Sequence, residues 1–194
     1  MKIKKILLLA GMALAATAFA SPAGASGSVW RHEGVPLTTK VKLGLSGGEI
    51  FQLGVADGMT CPVHATLFTE GGSTGKMTAF EISNVGCFGF GEFGECEPIV
   101  AQAIGLPWLV DVNTSDLTIT GGRIRRTFDA GCPIEEVEST LGAITATLNE
   151  PTEITELEFS GEGSADINPG STTGYSTFGA FEVEGANAGT YGIG

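Results

Sequence analysis

The chain has 194 residues, 22 of them acidic and ten basic, for a net charge of −12. Such a balance repels phosphate backbones and anionic lipid, which argues against nucleic acid as a partner. Glycine fills 30 positions, about twice its usual share, and it is scattered as punctuation between short segments instead of forming one linker.

At the amino terminus, Lys2, Lys4 and Lys5 precede an apolar run over residues 6–20 that ends in small side chains. That order is a secretory signal. The run is shorter than the roughly 20 residues a spanning helix needs. Cleavage is expected after Ala20, with Ala25 as the alternative, and no cysteine follows the run to carry a lipid. No second stretch is long and apolar enough for an integral span after signal removal, so a secreted or cell-surface protein is expected, with the periplasm as a further compartment. Taking the three signal lysines from the ten basic residues leaves seven against 22 acidic, a net charge of −15. The remaining length suits one domain: a loose arm at 21–36, a β-rich body at 37–185 and a flexible tail at 186–194.

Within the body, residues 39–45, 49–56, 60–69, 76–85, 106–112, 116–120, 123–128, 141–148, 154–160 and 177–184 each read as a strand. Several alternate: Cys61, Val63, Ala65 and Leu67 share a face, as do Trp108, Val110 and Val112, then Ile124 and Phe128 with Arg126 between them. Period-two patterning over short runs between turn residues predicts an all-β antiparallel sandwich, Ig-like or jelly-roll-like. Two segments, 97–104 and 133–141, have the composition of short helical turns, although the second also alternates.

Four cysteines, Cys61, Cys87, Cys96 and Cys132, predict two disulfides in an exported chain, and three connectivities are open. None has the close spacing of a zinc knuckle, and His32 and His64 are the only histidines, so no metal site is expected. Gly89-Phe90-Gly91-Glu92-Phe93-Gly94 matches the dinucleotide pattern by letter, but it lacks the preceding buried strand and the long helix, and Glu92 and Glu95 would repel a phosphate. No cofactor follows from it. Gly44-Leu45-Ser46-Gly47-Gly48 matches a nucleophile elbow, yet too little chain precedes it to build the sheet an elbow needs, and a turn is the expectation. His64 falls opposite the apolar face of its strand. The acid pairs Glu92 with Glu95, Glu135 with Glu136 and Glu156 with Glu158 could serve a glycosidase only at a set separation; solvated strand faces are the default. Segment 160–170 offers Glu162 and Asp166 as oxygen ligands without the spacing of a calcium loop, and a plain turn is expected. Asn113-Thr114-Ser115 fits a glycosylation acceptor. Phe88, Phe90 and Phe93 in a Gly-rich loop are candidates for apolar contact, the alternative being inward packing under a disulfide.

Thr60-Cys61 with the strand behind it, a second cysteine at Cys87, then Cys96 followed by Leu106-Pro107-Trp108 and alternation to Thr120, resembles the exported bacterial proteins called protein activator of alkane oxidation. The likeness covers roughly residues 55–150. It implies a secreted or surface-associated β protein without catalytic residues, linked to growth on hydrocarbons or to biofilm. The functional expectation is a non-enzymatic protein acting by contact with apolar compounds, surfaces or copies of itself. The alternatives are a secreted carboxylate-dependent hydrolase and a small outer-membrane barrel.

Overall fold

The computed structural model describes residues 27–53, 56–94, 96, 98–132, 134–150, 152–168, 171–184 and 189–194. The segment read as a secretory signal lies outside the described residues. Among the described residues fourteen strands follow in order: β1 (Trp30–His32), β2 (Val35–Pro36), β3 (Val41–Leu53), β4 (Asp57–Gly71), β5 (Thr74–Ile82), β6 (Phe88–Phe90), β7 (Pro98–Ile104), β8 (Trp108–Val112), β9 (Asp116–Thr120), β10 (Arg123–Phe128), β11 (Glu136–Leu148), β12 (Glu156–Asn168), β13 (Ser171–Val183) and β14 (Tyr191–Ile193). The one helical element among the described residues is a short 3-10 turn at Gly91–Phe93.

All pairings are antiparallel, as expected, but the architecture is a barrel and not a sandwich. The order β12-β13-β3-β4-β5-β8-β9-β11 closes on itself because β11 also pairs with β12. Eight strands enclose an interior just wide enough for side chains. Glycines allow the walls to bend this tightly. A Cβ at Gly47 would collide with the carbonyl oxygen of Ala180, and one at Gly163 with that of Thr140. The segment read as a turn at 44–48 is therefore the middle of β3, kept glycine-rich by the close approach of β13.

Two wall positions are each built from two short strands. Residues Ala143–Thr147 of β11 pair with β9, while Glu136–Thr140 pair with β10. Likewise β8 pairs with β9 and β7 with β10, so β7 continues as β8 through Gly105 and the cis Leu106–Pro107 bond. In one half of the barrel β8 pairs with Thr74–Met77 of β5. In the other half β7 runs alongside β5 with no ladder among the described residues, leaving a seam that the Asn84 side-chain amide crosses by donating to the Ile99 carbonyl at 3.2 Å.

The two predicted helical turns are corrected by this pairing. Residues 98–104 are β7, held on β10, and residues 136–141 begin β11, held between β10 and β12; ladder pairing overrides a weak helical preference. Segment 160–170, expected to be a turn, continues as β12 through Asn168. The predicted loose arm contains β1 and β2, and the predicted tail contains β14, which pairs with β1. Trp30 is fully buried at the β4–β5 hairpin end, its amide donating to Gly72 at 2.9 Å. Phe93 plugs the opposite end, its ring 5.7 Å from Phe51 and 5.1 Å from Phe128.

Candidate functional site

Alternation along each strand sends Leu43, Leu45, Glu49, Phe51 and Leu53 inward on β3, and Ile124, Arg126 and Phe128 inward on β10. Glu49 and Arg126 meet across the interior, Nη2 to Oε2 at 2.6 Å, both shielded from solvent. The other Glu49 oxygen accepts from the Thr177 hydroxyl at 2.9 Å and the Tyr175 hydroxyl at 3.3 Å. The guanidinium also lies 4.1 Å over the Phe51 ring, a favourable placement for a desolvated cation. Burial by itself would lower the Arg126 pKa, but the facing Glu49 charge overrides it and the guanidinium is held above its usual range. Burial, and then the Glu49 charge, push the Tyr175 phenol up to about 12. Arg126 Nε and Nη1 find no protein partner, nor does the Ser139 hydroxyl. The cavity beside Glu49 and Thr177 is only about 10 Å³, room for about one water. Among the described residues this interior cavity is too small for an organic ligand.

Register assembles the outer face. Phe178 on β13 pairs with Ile50 on β3, Ile50 with Thr60 on β4, and Thr60 with Phe88 on β6. Paired residues share a face, so these four form one row across four strands. Ala180, Gly48 and Pro62 form the row on one side; Ser176, Gln52, Gly58 and Phe90 form the row on the other. No charge interrupts the three rows. Beyond Phe88 the surface continues into a groove of about 610 Å³ along the seam, lined by Asn84, Val85, Pro98, Ile99, Asp129 and the Cys96–Cys132 bridge. Phe88 is 75% and Val85 73% exposed, Ile99 54% and Val100 44%. Of the eight large apolar side chains exposed among the described residues, Phe88, Phe90 and Phe178 stand in these rows and Val85 and Ile99 line the groove, with Val100 next along β7.

The bridges run Cys61–Cys87 and Cys96–Cys132, the sequential connectivity. They staple both ends of the segment that carries Phe88 and Phe90, and such bridges persist in oxidising, extracytoplasmic surroundings. Of the three phenylalanines proposed for apolar contact, Phe88 and Phe90 face out, whereas Phe93 is a correction: fully buried, it belongs to the barrel plug. The dinucleotide-like glycines serve this turn; a Cβ at Gly89 would strike the Phe93 carbonyl oxygen.

Other singled-out residues are dispersed. His32 stacks near Tyr191, 4.8 Å between centroids. His64 faces out opposite Ser46, its Nδ1 3.2 Å from Glu184 Oε1. This brings a serine, a histidine and a carboxylate together on an open strand face, with no Ser46 hydrogen bond to the imidazole and no paired backbone donors for an oxyanion. Glu156 and Glu158 point outward on β12, and Glu136 lies 3.7 Å from Arg125. Glu95 lies outside the described residues. Glu92 and Asp57 line a rim hollow of about 260 Å³, where Asp57 Oδ1 accepts the Glu92 amide at 2.8 Å. No group of three or more candidate metal ligands occurs among the described residues.

No family model, curated protein or solved structure matches the chain.

The site thus rests on its own geometry. Eight strands would suit the outer-membrane alternative, and no described helix is long and apolar enough to cross a membrane. The facing is the reverse of a lipid-embedded wall: Leu, Val, Ile and Phe point in, while Thr, Ser, Glu and Lys dominate outside. A lipid-facing band needs the opposite.

Proposed function

We propose that this protein is an exported, non-enzymatic contact protein that engages apolar material through the arc from Phe178 to Val100. The observation that carries the reading is the charge-free row Phe178–Ile50–Thr60–Phe88, held in register by four strands and a disulfide staple. Exposed apolar side chains scattered singly mean little, but a contiguous patch marks an interaction surface. The packed interior supports contact by the wall and not by enclosure. The resemblance to activators of alkane oxidation points the same way, toward hydrocarbon or another apolar surface as the material engaged.

Binding of the purified domain to hexadecane droplets, measured as depletion from the aqueous phase, tests the reading. The double change Phe88→Ser and Phe178→Ser removes about 2 kcal/mol of burial, a loss of roughly 30-fold in affinity. Val35→Ser, on an exposed side chain away from the arc, leaves binding unchanged. Equal binding by the wild type and the double variant would end the proposal.

A further inference from the structure

The two bridges differ in access. Cys61 and Cys87 are sealed in the wall, 1% and 5% exposed. Cys96 and Cys132 both line the groove of about 610 Å³ along the seam, and Cys132 is only partly buried. A thiol entering that groove meets the second bridge and not the first, and bridges open to solvent are the ones that exchange readily.

The accessible bridge also crosses the weakest part of the wall. Cys96 precedes β7, whose ladder runs to β10 with none to β5 among the described residues. Cys132 follows β10, in a turn closed by its amide donating to the Asp129 carbonyl at 2.9 Å. Between β6 and Cys96 lies the Gly91–Phe93 turn that carries the plug, and this turn joins no ladder. Besides the bridge, it is held by the Glu92 amide donating to Asp57 Oδ1 at 2.8 Å and by the packing of Phe93 against Phe51 and Phe128. On the other side of the plug, Phe88–Phe90 is laddered to Gly58–Thr60 of β4 and anchored by the sealed Cys61–Cys87 bridge. Phe93 is thus fixed firmly on its amino-terminal side and, on its carboxy-terminal side, by a bond that solvent can reach.

We propose that the Cys96–Cys132 bridge is a thiol-operated latch on this end of the barrel, opened by a dithiol. One thiolate of the dithiol attacks Cys132 Sγ; the bond to Cys96 breaks, and Cys96 leaves as a thiolate that takes up a proton. The second thiolate of the dithiol then attacks the mixed disulfide, freeing Cys132, which is protonated in turn, and leaving the reductant as its own disulfide. The open chain between Cys96 and Cys132, 36 positions apart, no longer pins the plug, and local opening becomes less costly in chain entropy. Phe93 then leaves the barrel end while β6 keeps Phe88 and Phe90 in place. This behaviour holds whatever material the arc from Phe178 to Val100 engages.

Timed treatment of the signal-free protein with limiting dithiothreitol, quenched with iodoacetamide and followed by peptide mapping, tests this. Cys96 and Cys132 should become alkylated about tenfold faster, or more, than Cys61 and Cys87. The far-ultraviolet circular dichroism of the β-sheet should persist, while chymotrypsin begins to cut after Phe93, which is fully buried before reduction. Cys96→Ser with Cys132→Ser should fold, be cut at Phe93 without reductant and show no further change when dithiothreitol is added. Equal rates at the two bridges, earlier opening of Cys61–Cys87, a reduced protein still resistant at Phe93, or loss of the β signal in the reduced protein or the double variant would each overturn the proposal.

Discussion

Replacing Arg126 by methionine removes the cation from the buried pair and leaves Glu49 without its charged partner at the barrel centre. The Glu49 carboxylate would keep Thr177 and Tyr175 as donors, but a buried charge stripped of its counter-ion costs about 3–5 kcal/mol. For a domain of this size each kcal/mol moves the midpoint by about 2–4 °C, so a fall of about 6–20 °C is expected. Adding Glu49→Gln removes the orphaned charge while its amide oxygen can still accept from Thr177 and Tyr175. Arg126 also carries two nitrogens with no protein partner, so the double variant loses groups that were imperfectly satisfied from the start. It should therefore recover to within about 2 kcal/mol of the wild type, because well-packed neutral replacements of a buried pair are often close to neutral. Thermal and urea denaturation of the four proteins closes the cycle. If the double variant is as unstable as the two single losses added together, the pair does not act as a unit and the reasoning fails.

Glycine spacing in β3 gives a sharper contrast. Gly47→Ala forces a Cβ into the Ala180 carbonyl and should destabilise by about 1–3 kcal/mol or more, whereas Gly48→Ala, whose nearest neighbour is 3.9 Å away, should shift the urea midpoint little; equal shifts would show that β13 does not crowd β3. Alkaline pH should find Tyr175. Its phenol is held up at about 12 in the folded state against 10 unfolded. The stability this confers is complete below pH 10 and is lost, roughly 2–3 kcal/mol of it, as pH rises toward 12. Tyr175→Phe should show a correspondingly shallower fall between pH 10 and 12, and identical slopes would refute the shift.

Alternation alone placed many side chains on the correct face. Cys61, Val63, Ala65 and Leu67 all point inward, as do Trp108, Val110 and Val112, while His64 points out. The same period carried the one interior feature that composition hid: Arg126 lies in phase with Ile124 and Phe128, and Glu49 in phase with Phe51. A charge at an inward position was the available signal, but its partner sits 77 residues away, so neither residue could be read as half of a pair. Of the candidate contact residues, Phe88 and Phe90 alternate outward with Gly89 between them, while Phe93 breaks step because the 3-10 turn at Gly91–Phe93 rotates it into the barrel end.

The residue pattern was sufficient for strands, faces and an antiparallel class, because these depend on neighbours two positions apart along the chain. Tertiary structure decided closure into a barrel, the cysteine partners and the charge-free row of Phe178, Ile50, Thr60 and Phe88. Each of those depends on which strands lie side by side and in what register, and ladder hydrogen bonds between backbone groups do not distinguish one candidate partner from another until the whole sheet has closed.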